Sequence, residues 1–213
     1  DWISPGGAAF QWDPQANDGK KVIISDTDHL WGEGGDRAWV WKSFTRGLNV
    51  LYMDCYEASF CTVYPPDDPT RLSVVANMGY TLDYAQRMNL AAMVPRSDLC
   101  SSQYCLANPA ADGAEYLVYL PAGSIAETIL GAVGLQDQNL DTVLAPHGSV
   151  TVDLSAASGE LAVEWLNPQS GEVSLGSPVT GGAPRSFTAP FGGDAVLYLY
   201  QEADQPAISL STH

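Results

Sequence analysis

Carboxylates, an imidazole and an indole crowd into one short run, Asp26-Thr27-Asp28-His29-Leu30-Trp31-Gly32-Glu33. A second acidic and aromatic group follows at Asp54-Cys55-Tyr56-Glu57. Two carboxylates can divide the roles of nucleophile and general acid at a glycosidic carbon, and flat aromatic rings stack on sugar faces. Asp26 and Asp28 are therefore the candidate catalytic residues, with His29, Trp31, Glu33, Asp54 and Tyr56 as candidate substrate contacts. Asp-x-Asp-His also resembles a set of metal ligands, but no second ligand cluster accompanies it, so neither a metal nor another cofactor is expected. Plainer uses exist for several of these side chains. Asp36 can cap a helix, His29 can orient a neighbouring carboxylate, and Trp39 and Trp41 suit packing better than ligand contact.

Such groups need rigid elements behind them. Lys21–Ser25 is a short, β-branched run of the kind found in buried parallel strands. Residues 36–46 read as a helix ended by Gly47, Leu48–Met53 as a second strand, and Thr70–Met93 as a long helix whose apolar face holds Leu72, Val75, Ala76, Met78, Gly79, Leu82, Ala85, Met88 and Leu90. Strand-loop-helix repetition implies parallel strands with right-handed crossovers, whose reactive groups lie where strands end. The second half differs. Glu115–Leu120, Ser149–Leu154, Leu161–Leu166, Glu172–Leu175 and Ala195–Gln201 are short runs separated by turn formers, the pattern of an antiparallel β-sandwich, with Trp165 in its core. Ile125–Leu135 is weakly helical within a stretch, Ala122–Pro146, that fits neither pattern.

The 213 residues carry 9 basic and 25 acidic side chains, a net charge of −16 that disfavours nucleic acid and anionic membranes as partners. No apolar run reaches the roughly 18 residues of a membrane span. Residues 1–110 hold 8 of the basic and 13 of the acidic groups, whereas residues 111–213 hold one and 12, so two units of different surface chemistry are expected. The boundary falls near residue 97: residues 1–97 form the α/β part and residues 98–213 the all-β part. Residues 1–95 are expected to aggregate when made alone and residues 98–213 to fold independently. Cys100 and Cys105 flank a short turn, so a local disulfide in an exported protein and buried free thiols are both open.

Lys21–Tyr56, with Asp26-Thr27-Asp28-His29-Leu30-Trp31-Gly32 and Trp41-Lys42-Ser43-Phe44-Thr45-Arg46-Gly47, resembles the last strands of apiosidase-like glycoside hydrolases. Asn77-Met78-Gly79-Tyr80 and Ser102–Pro109 extend the resemblance. Glu115–Pro121 and Val163–Pro168 are similar to the β-sandwich that follows such barrels, a module that carries a collagen-binding label. The resemblance implies about the last two strand–helix units of a (β/α)8 barrel, packed against a sandwich, in an exported or periplasmic enzyme with a plant or microbial polysaccharide as substrate. It places Asp26 at the nucleophile position after the seventh strand, where related members carry Glu, with Asp28 as the substitute. The acid/base strand lies outside these residues, so the stretch is expected to be inactive alone. A non-catalytic module binding glycan or matrix protein is the competing expectation.

Overall fold

A computed structural model describes residues 1–30, 35–53, 67–122 and 147–201. Strands β1 (Trp2–Ile3), β2 (Val22–Asp26) and β3 (Asn49–Leu51) form a parallel sheet in the order β1-β2-β3. The expected pair of parallel strands is thus a trio. β1 escapes a reading by pattern because two residues are too few to display a period, and it is held by the pairs Trp2↔Val22 and Ile3↔Ile23.

Helices α1 (Ala8–Trp12), α2 (Thr27–Leu30), α3 (Arg37–Thr45) and α4 (Pro69–Arg87) accompany this sheet. The Asp36 side chain accepts a hydrogen bond from Trp39 N at 2.7 Å and so caps α3, as its sequence position implies. After α3 the chain turns at Gly47 with φ 74°, a conformation glycine adopts freely. Asp68 caps α4 through Thr70 N and Arg71 N, with Pro69 pre-set at its first position.

Two features of α4 depart from the sequence expectation. It stops at Arg87, because Glu115 Oε2 captures Asn89 N at 2.9 Å and the backbone leaves the helix at Met88. Its inner face also takes in only part of the expected apolar set, Met78 and Met88. Val74, Asn77, Thr81 and Tyr84 are buried, whereas Leu72, Val75 and Leu82 are exposed. The polar inner groups all find partners. Asn77 accepts from Trp41 Nε1 at 2.7 Å and donates to Pro168 O at 3.0 Å, and Tyr84 donates to Glu164 at 2.7 Å.

The antiparallel half comprises β4 (Val94–Pro95), β5 (Cys105–Asn108), β6 (Glu115–Leu120), β7 (His147–Asp153), β8 (Glu160–Leu166), β9 (Val173–Thr180), β10 (Pro184–Gly192) and β11 (Ala195–Tyr200). Six of them form one sheet in the order β4-β5-β6-β11-β8-β9, and β7 pairs with β10 in a second sheet. Trp165, Tyr116, Val118, Leu161 and Leu197 share one core with Val150 and Val152 of β7, between the two sheets. The opposite face of the six-stranded sheet packs Leu117, Tyr119, Leu166, Val196 and Tyr198 against Trp41 of α3 and Tyr84 of α4. A third cluster, Trp39, Val40 and Val74 with Val50, lies between the helices and the parallel sheet. The helices are thus a middle layer. Trp39, Trp41 and Trp165 are packing residues, as expected.

Three carboxylates fasten this middle layer to the six-stranded sheet. Arg37 grips Asp194 through Nε and Nη2 while Tyr119 donates to the same carboxylate at 3.1 Å. Arg87 and Tyr84 hold Glu164, and Tyr198 joins Asn89 N on Glu115. The β8–β9 turn rests on α4 so closely that a Cβ on Gly171 would meet the Tyr80 hydroxyl.

Burial opposes the charge on Glu164, yet Arg87 and Tyr84 outweigh it and hold the carboxyl below its ordinary value of 4.5. A carboxyl depressed in the folded state stabilises the fold above its unfolded pKa and ceases to do so as pH falls through the folded one. Glu164→Gln should therefore cost about 2–3 kcal/mol near neutrality, less than a fully buried pair because Arg87 is partly exposed. It should also flatten the fall in stability below about pH 4.5. Urea midpoints measured from neutral to acid pH check both effects. Parallel curves for the two proteins would refute this role.

Candidate active site

Parallel pairing brings the C-terminal ends of β1, β2 and β3 to one edge of the sheet. Asp26 closes β2 in register with Leu51 of β3, and Ser4 stands just beyond β1. Strand alternation turns Ser25 and Val50 toward the helices and Asp26 and Leu51 to the other face. On that second face Trp2, Val22 and Leu51 are left exposed by the described residues.

Asp26 is 7% exposed at the rim of this face. Its Oδ1 accepts from His29 N at 3.0 Å, capping the single turn of α2. Its Oδ2 accepts from the Ser4 hydroxyl. Ser4 Oγ also lies 2.8 Å from His29 Nδ1. With the one hydroxyl proton given to Asp26, it is His29 Nδ1–H that donates to Ser4. The result is a chain, His29 to Ser4 to Asp26, that crosses two strand ends. His29 Nδ1 approaches Asp26 Oδ2 to 3.6 Å and Nε2 reaches only 4.0 Å from Asp28. The Thr27 hydroxyl accepts from Met53 N at 3.0 Å and ties α2 to the end of β3.

Of the candidates read from the sequence, Asp26, Asp28 and His29 come together here. Their ligand atoms lie within 4.8 Å of one another, and these are the described residues that could hold a cation, although Asp28 and His29 are exposed. Trp31, Glu33, Asp54 and Tyr56 lie outside the described residues, as do Cys55, Cys61 and Ile125–Leu135. Ser4 went unread because it stands 22 positions before Asp26. Its only local signal is two apolar residues followed by Ser-Pro, a strand-end pattern.

A rigid, buried carboxylate with a hydroxyl on one oxygen and a backbone amide on the other is positioned for attack or for charge stabilisation at a bound electrophile. A separate groove of about 410 Å³ lies among Asn17, Phe44, Leu48, Leu90, Met93 and Leu106. It opens at the opposite, N-terminal ends of β2 and β3 and contains none of the candidates.

No family model matches the chain, and no curated protein matches it. Solved structures do. One, described as a glycoside hydrolase, superposes with a TM-score of 0.55 at 12% identity over 89% of this chain and 44% of its own. A second, a glycoside hydrolase family 5 structure from Bacteroides vulgatus ATCC 8482, gives 0.56 at 16% identity over 89% of this chain and 43% of its own. The chain has a glycoside hydrolase-like fold and spans less than half the length of either structure.

Proposed function

We propose that this chain is the C-terminal part of a retaining glycoside hydrolase acting on carbohydrate, with Asp26 as the nucleophile. The observation that carries the reading is a buried carboxylate at the C-terminal end of the middle parallel strand, oriented by the neighbouring strand's serine. Support also comes from the face on which Trp2, Val22 and Leu51 are exposed and from the exposed stripe Leu72, Val75 and Leu82. Both suit further strand–helix units closing a (β/α)8 barrel, since parallel sheets are buried on both faces.

In this reading Asp26 Oδ attacks the anomeric carbon while an acid on a strand outside the chain protonates the departing oxygen. The C–O bond breaks, a glycosyl ester forms on Asp26, and water then hydrolyses it with the same outer residue as base. Ser4 and the His29 amide fix the carboxylate, and Asp28 lies beside it to meet sugar hydroxyls. Trp31 and Tyr56 are assigned to the sugar platform, with Glu33 and Asp54 as further contacts. Within the class, Asp26–Gly32 and Trp41–Gly47 favour an apiosidase-like enzyme of a secreted or periplasmic protein.

The antiparallel half, with its boundary near residue 97, acts in this reading as a buttress behind the helices. A glycan-binding role for it would call for exposed aromatic rows, whereas Trp165, Tyr116, Tyr119 and Tyr198 are in its cores.

The test is covalent trapping. The complete protein, incubated with activated 2-fluoro glycosides, should carry one sugar on the tryptic peptide Val22–Arg37, with fragmentation placing it on Asp26. A label on another peptide, in a protein that turns over the parent glycoside, would overturn the assignment.

A further inference from the structure

The antiparallel half holds a pair of thiols that the proposed chemistry does not use. Cys100 lies against the second sheet: it bridges to Val152 of β7, and the next residue exchanges two hydrogen bonds with Thr151, Ser101 N to Thr151 O and Thr151 N to Ser101 Oγ, each 3.0 Å. The chain then reverses. Gln103 N donates to Cys100 O at 3.1 Å, and Gln103 takes a left-handed φ of 66°. Cys105 opens β5 of the six-stranded sheet, in register with Val118. The two cysteines therefore stand on opposite sheets at the point where the chain passes between them. Both are buried in the core the sheets share, and neither is in a disulfide here. Both face the same core, and Cys100 Sγ meets Ser102 Oγ at 3.3 Å.

We propose that Cys100 and Cys105 form an intramolecular disulfide that staples the two antiparallel sheets when the protein folds in the presence of a small-molecule disulfide such as oxidised glutathione.

The turn carries both cysteines into one core, so a cross-link between the sheets calls for local adjustment and not for a change of fold. Either thiol can begin once the turn is open, and the exchange is written here from Cys100. Cys100 thiolate attacks one sulfur of oxidised glutathione, the glutathione S–S bond breaks, and one glutathione leaves with a proton. Cys105 then loses its proton and attacks the Cys100 sulfur, and the second glutathione departs with that proton. Two protein thiols give up two electrons and the glutathione disulfide receives them. Burial assigns this exchange to folding, or to opening of the Ser101–Tyr104 turn, rather than to the closed protein.

The experiment refolds the full chain in glutathione buffers of graded ratio, followed by acid quench, alkylation and tryptic mapping. The sequence makes the readout clean. No Lys or Arg lies between Ser97 and Pro184, so Cys100 and Cys105 share the peptide Ser97–Arg185, while Cys55 and Cys61 fall in Gly47–Arg71. The expected result is a Ser97–Arg185 peptide lighter by two hydrogens and closed to alkylation. Its equilibrium constant against glutathione should be roughly ten- to fifty-fold larger in native buffer than in urea, because the fold holds the thiols together. In Cys105→Ala, Cys100 should carry label or glutathione instead. Full alkylation of both cysteines at every ratio, cross-linking of this peptide to Gly47–Arg71, or equal constants in native buffer and urea would each overturn the proposal.

Discussion

Asp26→Asn in the complete protein is expected to lower kcat by about four orders of magnitude or more, with little change in thermal stability. The substitution separates the cap that this side chain forms on α2 from the nucleophilic role proposed for it. Asparagine caps helices about as well as aspartate, so its Oδ1 can still accept from His29 N and α2 keeps its start. What it loses is the ability to form a stable ester with the sugar. Ser4→Ala deletes the donor to Asp26 and the acceptor of His29 Nδ1, and should cost roughly ten- to a hundredfold in kcat with a smaller effect on KM. Asp28 is exposed and reaches His29 only at 4.0 Å, so Asp28→Asn should change kcat/KM by less than about tenfold. Rates with an activated aryl glycoside that the wild-type protein turns over check all three. If Asp28→Asn rather than Asp26→Asn abolishes turnover, the nucleophile is Asp28. Near-normal rates in both variants would leave this strand end without a catalytic role.

The second large effect concerns the antiparallel half. Although its sequence reads as a self-sufficient sandwich, residues 98–213 made alone should fail to give a cooperative monomer. Leu117, Tyr119, Val196 and Tyr198 are fully buried, and the helices supply the other side of their core. Cutting at residue 98 also removes β4, Arg37 and Arg87, leaving Asp194 and Glu164 without their cationic partners. Orphaning one buried charge costs about 3–5 kcal/mol when it stays buried, and whole domains are stable by only about 5–15 kcal/mol. Denaturant unfolding followed by far-ultraviolet dichroism, with sedimentation, checks the expectation. A sharp transition in a monomer would show that the exposed face tolerates water after all.

The sequence carried the local signals well where one residue settles an element. Asp36 caps α3, Gly47 follows its C-cap and turns the chain, and β6 is the run Glu115–Leu120 to the residue. It misled where tertiary partners override a local pattern. Leu72, Val75 and Leu82 of α4 face outward because Asn77 and Tyr84 have buried polar partners on the sheet side. The helix ends six residues early because a distant glutamate takes a backbone amide. β10 was hidden by prolines at both ends and by alternating polar residues, and its pairing with β7 alone defines it. At the site, Asp26, Asp28 and His29 were legible as neighbours in one run. Ser4 was not, since only strand pairing makes it a neighbour.

Fastening the helix layer by Asp194, Glu164 and Glu115 has a consequence for how such proteins can be recombined. Each lock has its two halves on different segments: Arg37 and Asp194, Arg87 and Glu164, Asn89 and Glu115. An antiparallel half grafted onto a foreign α/β half would bring Asp194 and Glu164 without their arginines, and an α/β half given a foreign antiparallel half would bring Arg37 and Arg87 without their acids. Exchange of either part as a cassette therefore requires the locks to travel as matched sets. The productive crossover points for chimeras lie before Arg37, so that both helices and the six-stranded sheet move together.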